Sequence, residues 1–259
     1  MKKKKWIGNV VLILCILVFA GSGMYLLKYY LDARNTENDV EELIQLKEES
    51  ENGEEGEIKT DQGKSILKKY RKLYKKNGDI VGWIQVKGTE IDYPVMQTPK
   101  DPEYYLHKNF KKKYDINGLP FLDAKCDVED EHNNLMVYGH HMKSGMMFAH
   151  LLDYQSKDFY NKHKTVLFDT LYEEREYEVV AAFYSRIYKD NQDVFKYYNY
   201  PGSLSEKQFD TYVKNCKKLS QYDTGITPKY GEQLLTMVTC AYQAEEGRFV
   251  VVARRKEKK

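Results

Sequence analysis

The sequence predicts a mostly β domain with added helices, a barrel or a sandwich, preceded by an N-terminal apolar helix and an acidic stalk. Eight short segments between residues 83 and 254 are rich in Val, Ile, Tyr and Phe and bounded by Gly, Pro, Asn or Asp, as short strands separated by turns are. Few helical patterns lie between them, which argues against a parallel α/β sheet. Ahead of them stands a run of 21 residues, Ile7 to Leu27, with only Asn9, Ser22 and a few glycines as polar or small breaks.

In chain order, Lys2 to Lys5 form a short basic tail (residues 1–5) and the apolar run a helix over 6–28. About 20 apolar residues span a bilayer, and the lysines belong on the cytoplasmic side, which puts the C-terminal bulk outside. Ala20-Gly21-Ser22 offers a rival reading as a signal-peptide cleavage site. The apolar run continues past it through Met24-Tyr25-Leu26-Leu27, so an uncleaved, single-pass anchor is expected. Residues 37–61 carry eleven acidic side chains and two lysines. So few apolar groups do not offset ordering entropy, and 29–63 is expected as a solvated stalk with at most a short helix near Val40 to Leu46. The sign then flips: residues 64–76 carry seven basic and no acidic side chains. Ile66, Leu67, Tyr70, Leu73 and Tyr74 fall on one helical face, so a helix opens a domain over 64–259. Its basic face is either solvated or drawn to anionic lipid or wall polymer.

The expected strands are Trp83–Val86, Glu90–Gln97, Leu119–Leu122, Asn134–Tyr138, Thr165–Thr170, Glu176–Ser185, Gln233–Thr239 and Arg248–Arg254. Ser205-Glu206-Lys207-Gln208 is a capping-box pattern, and Phe209, Tyr212, Val213 and Cys216 repeat at helical spacing after it. A shorter helix is expected over Met146 to Leu152. The 41 basic and 39 acidic residues nearly cancel, which gives no case for nucleic acid.

The chemistry is expected where two strands meet. Leu234 to Cys240 ends on a cysteine, seven residues follow, and Arg248 opens the next strand. Antiparallel pairing would set the thiol beside a permanent cation at one sheet rim. Cys126 and Cys216 read as inert core thiols and Cys15 as part of the apolar run, since no CxxC or even framework suggests disulfides. A thiol nucleophile needs a proton carrier and a group to hold an oxyanion. Of six histidines, His140 stands out: Val137-Tyr138-Gly139-His140 ends an apolar strand just after a glycine. His141 is expected to face the other way, and His107, His132, His150 and His163 read as surface or packing residues. His140, His141 and His150 match no common metal spacing, so no metal or cofactor is expected. Arg248 has a plain alternative as a strand-end surface arginine, and Arg254 and Arg255 read as solvated charge.

Taken together the motifs resemble the sortase family, class B in particular. Thr236-Met237-Val238-Thr239-Cys240 is similar to the family's T-L-x-T-C strand, with Met for Leu, a swap conservative in volume. Tyr138-Gly139-His140 resembles the segment with the catalytic histidine, and Arg248 the catalytic arginine. Asp79 to Ile84, Ile91 to Gln97, Gly118 to Asp123 and the helix after Ser205 leading to Tyr222-Asp223-Thr224-Gly225 resemble class B segments in the same order.

The resemblance implies a closed eight-stranded barrel and a cysteine transpeptidase. Cys240 would attack after a threonine in the C-terminal sorting motif of a secreted protein. His140 would serve as acid/base and Arg248 as substrate and oxyanion holder, and the acyl group would pass to a peptidoglycan-precursor amine. A peptidase that only hydrolyses, a pilin-polymerising sortase that uses a lysine nucleophile, and a non-enzymatic surface binding module stay open. Substrate contacts are expected from the 185–204 connection. Thr239 should point away from Cys240, and loop 241–247 should be exposed and flexible.

Overall fold

The structure, a computed structural model, describes residues 2–54, 56–60 and 63–257. The side chains of the lysine cluster at 2–5, and the last two residues of the expected 64–259 domain, lie outside the described ones. Nine strands form a single sheet: β1 (Ile80–Gln85), β2 (Asp92–Met96), β3 (Phe121–Leu122), β4 (Asn133–Tyr138), β5 (Thr165–Thr170), β6 (Glu176–Arg186), β7 (Gly202–Ser203), β8 (Leu234–Cys240) and β9 (Gly247–Arg255). Their order is β3-β2-β1-β5-β6-β9-β8-β4-β7, and β3 also pairs with β4. That last pairing joins the ends of eight strands into a closed barrel, and closure removes the free sheet edges. The two-residue β7 is appended to the far end of β4, opposite Asn133 and Asn134.

All eight expected strands are present, each shifted by no more than three residues at either end. β8 is buried along its length up to Thr239, and only Cys240 at its tip is partly open. Both of its faces are therefore covered, which explains why Leu234 to Val238 lacks a polar alternation. Helix α4 (Glu206–Leu219) buries Phe209, Tyr212, Val213 and Cys216, and its Ser205–Gln208 capping box is formed. The Tyr212 hydroxyl lies 2.7 Å from Thr236 Oγ1, so the one polar group in mid-strand is satisfied. Burial pushes the Cys126 thiol up to about 12 and the Cys216 thiol well above its usual value. Both are inert packing groups.

Four expectations change. First, helix α1 (Lys2–Asn52) runs on into the acidic segment as far as Asn52, where a solvated stalk was expected. Its first part is long and apolar enough to cross a membrane. Its second part lies against the barrel domain, with Thr36, Val40, Leu43 and Ser50 buried. The carboxylates there find cations that composition alone does not reveal: Lys111 meets Asp39 and Glu42, Lys72 meets Glu49, and Lys76 meets Glu42. Second, the basic segment after it is a 3-10 turn at Lys68–Tyr70 running into α2 (Arg71–Lys76), with Ile66, Tyr70 and Leu73 buried as expected. Third, the helix expected over 146–152 is a 3-10 segment, Ala149–Gln155, followed by α3 (Lys157–Lys162). Fourth, Arg254 and Arg255 are ion-paired: Arg254 with Glu178 and Glu232, Arg255 with Glu173 and Glu131.

Candidate active site

Register brings the three candidate residues together. β4 and β8 run parallel with Tyr138 opposite Val238, so His140 and Cys240 each lie two residues beyond paired positions, at the same rim. β8 and β9 run antiparallel with Cys240 directly opposite Arg248. Facing residues in such a pair are ~4.5–5.5 Å apart at Cα. All three line one groove of about 430 Å³, together with Leu106, Phe121, Tyr138, Thr239, Ile187, Tyr197 and Tyr198. The lining is mostly aromatic and aliphatic with a few reactive groups among it, the composition of a ligand-binding site. Ile187, Tyr197 and Tyr198 come from the 185–204 connection, where substrate contacts were expected.

The backbone that presents His140 is fixed from both sides. Gly139 N–H donates to Val238 O at 3.0 Å, and Phe148 N–H donates to His140 O at 2.8 Å. Thr239 Oγ1 donates to Gly139 O at 2.9 Å, which satisfies the hydroxyl of this buried threonine and ties the end of β8 to the backbone just before His140. Glycine is required at 139 because the Phe148 ring lies against it: a Cβ there would meet Phe148 carbons at 2.7 Å.

The imidazole itself is held by a contact that sequence reasoning missed. His140 Nε2 lies 2.9 Å from the carbonyl oxygen of Leu106. A carbonyl only accepts, so in the neutral ring the hydrogen sits on Nε2 and Nδ1 keeps its lone pair. The His107 ring stacks on His140 with centroids 5.6 Å apart and planes 24° from parallel, although the sequence marks His107 as a surface or packing residue. Burial holds the His140 pKa below its usual value. The Leu106 carbonyl works against that shift, a charged His107 would add to it, and Asp115 opposes it. The balance favours the neutral imidazole over the imidazolium.

His141 leaves the groove, as the alternation of a strand requires. Its Nδ1 lies 3.1 Å from Cys240 O and its ring is 5.4 Å from Tyr242. It ties the end of β8 to the segment after β4. The Arg248 guanidinium is 24% exposed in its side chain and lies 3.3 Å from Glu246 Oε2, while its Nη1 donates to Gly247 O at 2.9 Å. Loop 241–247 is exposed at Tyr242, Gln243, Glu245 and Glu246. It is nonetheless pinned at its base, because Ala241 N–H donates to Gly247 O at 3.0 Å and Ile187 N–H to Glu246 O at 3.0 Å.

A family model for the sortase domain matches residues 84–256, which is about two thirds of the chain. The chain belongs to the sortase family, class B. Over 255 residues it is 31% identical to sortase B of Listeria monocytogenes, covering 97% of both chains. The fold agrees. A crystal structure of sortase B from B. anthracis in complex with AAEK1 superposes with a TM-score of 0.73 at 27% identity, over 88% of this chain and 100% of that one. A Staphylococcus aureus sortase B–substrate complex superposes with a TM-score of 0.71 at 26% identity, over 88% of this chain and 99% of that one. Class B sortases are cysteine transpeptidases, and this is one. A non-enzymatic binding module is thereby set aside.

Proposed function

We propose that Cys240 is the nucleophile, His140 the acid/base and Arg248 the oxyanion holder of a transpeptidase that anchors secreted proteins to the cell wall. The supporting observation is their convergence: two strand ends in parallel register and one antiparallel partner place a thiol, a neutral imidazole and a guanidinium on one apolar groove. His140 Nδ1 takes the proton of the Cys240 thiol, and the thiolate adds to the threonine carbonyl carbon in a C-terminal sorting motif. The negative charge on the tetrahedral oxygen is met by Arg248, which stays charged throughout. The C–N bond breaks as His140 gives a proton from Nδ1 to the leaving amine, and a thioester remains on Cys240. An amine of a peptidoglycan precursor then adds to that thioester and loses its proton to His140 Nδ1. The amide forms as the thiolate leaves, and His140 Nδ1 returns the proton to Cys240.

Anchorage fits this work. The apolar part of α1 is read as a single-pass membrane anchor, residues 6–28, with residues 1–5 cytoplasmic and the domain on the outer face of the membrane. Both partners, the secreted protein and the lipid-linked precursor, are available there.

The test is a reaction of the full chain with a panel of sorting peptides and a short amine, followed by mass spectrometry. The expected products are an acylated Cys240 and an amine-ligated peptide, both absent in Cys240→Ala and His140→Ala. Hydrolysis without ligation at any amine concentration would favour a peptidase working with the same residues. A ligating His140→Ala variant would remove His140 from its proposed role.

A further inference from the structure

The His140 imidazole is aimed by one backbone carbonyl, and that carbonyl is itself held from outside the barrel. Leu106 belongs to the 3-10 turn Tyr104–His107. The turn opens a hairpin that comes back on itself through residues 115–119: Asp115 N–H donates to His107 O at 3.1 Å and Leu119 N–H to Tyr105 O at 3.0 Å. Where the two arms touch, Gly118 has φ +54°, and a Cβ on it would lie 2.3 Å from Leu106 O. The returning arm is thus packed directly on the carbonyl that receives the His140 hydrogen bond.

That returning arm is fastened to α1. Thr36 is buried, and its hydroxyl lies 3.0 Å from Asp115 Oδ2 and accepts from Asn117 Nδ2 at 2.7 Å. The same hydroxyl is also 3.0 Å from Asp32 O within its own helix. Asp115 Oδ1 in turn accepts from Asn117 N–H at 2.9 Å. A turn further on, Asp39 accepts from Asn109 Nδ2 and from Lys111 Nζ, both at 3.0 Å. The helix therefore grips the hairpin at its returning arm and at its tip, and the returning arm backs Leu106.

We propose that Thr36, on the helix that continues the apolar N-terminal segment, is a positioning residue of the active site. Through Asp115, Asn117 and Gly118 it fixes the Leu106 carbonyl that orients His140. The idea rests on the acid/base reading of His140. Its physical basis is that a reacting group must be held within fractions of an ångström, and that small displacements far from the chemistry slow the reaction steeply. Asn117 is buried and its Nδ2 donates to the Thr36 oxygen, so losing that oxygen removes an acceptor from a buried amide.

The test compares Thr36→Val, which keeps the shape and loses the hydroxyl, with Thr36→Ser, which keeps the hydroxyl. Both are made in the full chain in detergent micelles, with 15N-labelled histidine to read the ring. The expected result for Thr36→Val is a fall in kcat of about tenfold, with KM for the peptide within about twofold, on the scale at which misplacement of a reacting group acts. The His140 ring should move from a predominantly Nε2-protonated tautomer toward a mixture, and Thr36→Ser should restore both readings. Gly118→Ala, which pushes on the carbonyl without touching α1, should give the same ring signature. Unchanged kcat and ring signals in Thr36→Val would overturn the proposal, as would an equal loss in Thr36→Ser. His140→Ala separates the two ideas: if that variant still ligates, the reading of the site fails, whereas an inactive His140→Ala beside an unaffected Thr36→Val fails only the role of Thr36.

Discussion

The β8–β9 ladder has an arginine near each end, and the two ends are built differently. At one end Leu234 faces Arg254, and at the other Cys240 faces Arg248. Arg254 Nε donates to Glu178 Oε1 at 2.6 Å and its Nη1 to Glu232 Oε1 at 3.1 Å. Next to it Arg255 donates to both Glu173 oxygens at 3.0 Å, and Arg175 donates to Glu173, the Val128 carbonyl and Gln233. These cations are matched to carboxylates and carbonyls whose positions are set by other strands and turns. Arg248 has Glu246, two residues away on an exposed loop, and the carbonyl just before it. A guanidinium with fixed partners on several elements works as a fastener. One whose partners are an exposed loop carboxylate and the carbonyl next to it in sequence can turn toward a new oxygen at small cost.

The largest contrast should follow from mutating the two arginines alike. Arg248→Ala is expected to lower kcat about 10²–10³-fold, the scale of losing one preorganised oxyanion donor, with little change in Tm. Arg254→Ala is expected to leave kcat near the parent value. It should lower stability by about 1 kcal/mol through lost pairs and packing, a Tm drop of about 2–4 °C for a domain of this size. Ligation kinetics and thermal melts on both variants check the pair. Equal kinetic losses at both positions would erase the distinction.

How far the sequence carried this comparison depends on whether the signal is local. Strand existence was legible because each segment has its own β-branched and aromatic composition, and Cys240 facing Arg248 followed from a loop of seven residues. The parallel pairing of β4 with β8 was not legible. It joins residues a hundred apart, Asn134 with Leu234, and only the family resemblance put His140 at the same rim. The packed half of α1 was hidden by its own charge. Composition marks residues 37–61 as solvated, while the compensating cations lie on Lys72, Lys76 and Lys111. Val40, Leu43 and the neutral Thr36 form the narrow buried stripe. The far-rim arginines were misread for the same reason, since Glu178 and Glu232 belong to other elements. Leu106 escaped notice because its contribution is a carbonyl, which no residue type encodes.

His107 gives a smaller and signed effect on the same rim. Burial keeps the His140 pKa low, and a charged His107 would lower it further, while the Leu106 carbonyl and Asp115 raise it. His107→Ala opens the ring to water and removes a like charge, and both changes raise the pKa. The His140 titration followed by NMR should shift to higher pH, and the limb of the pH–kcat/KM profile that reports it should follow. The sign extends to stability. A histidine whose folded pKa is depressed contributes stability above its unfolded pKa and loses it as pH falls through the folded value. His107→Ala should therefore soften the acid sensitivity of the fold, where the parent loses stability more steeply. A downward shift would mean that the stacked ring stabilises the imidazolium.

The smallest effect concerns the loose partner itself. Glu246 sits at φ +54°, outside the comfortable region for a residue with a Cβ, and its carboxylate is 63% exposed in its side chain. Such a pair is worth about 0.2–1 kcal/mol and weakens with salt. If Arg248 turns from Glu246 to the developing oxyanion, Glu246→Gln removes a competitor. The expected gain in kcat/KM at low ionic strength is about two- to fivefold, as that energy range allows. The advantage should vanish at high salt, where the parent pair is already screened. A loss of activity at low salt would point the other way, to a carboxylate that aims the guanidinium and a near rim more fastened than its one exposed partner suggests.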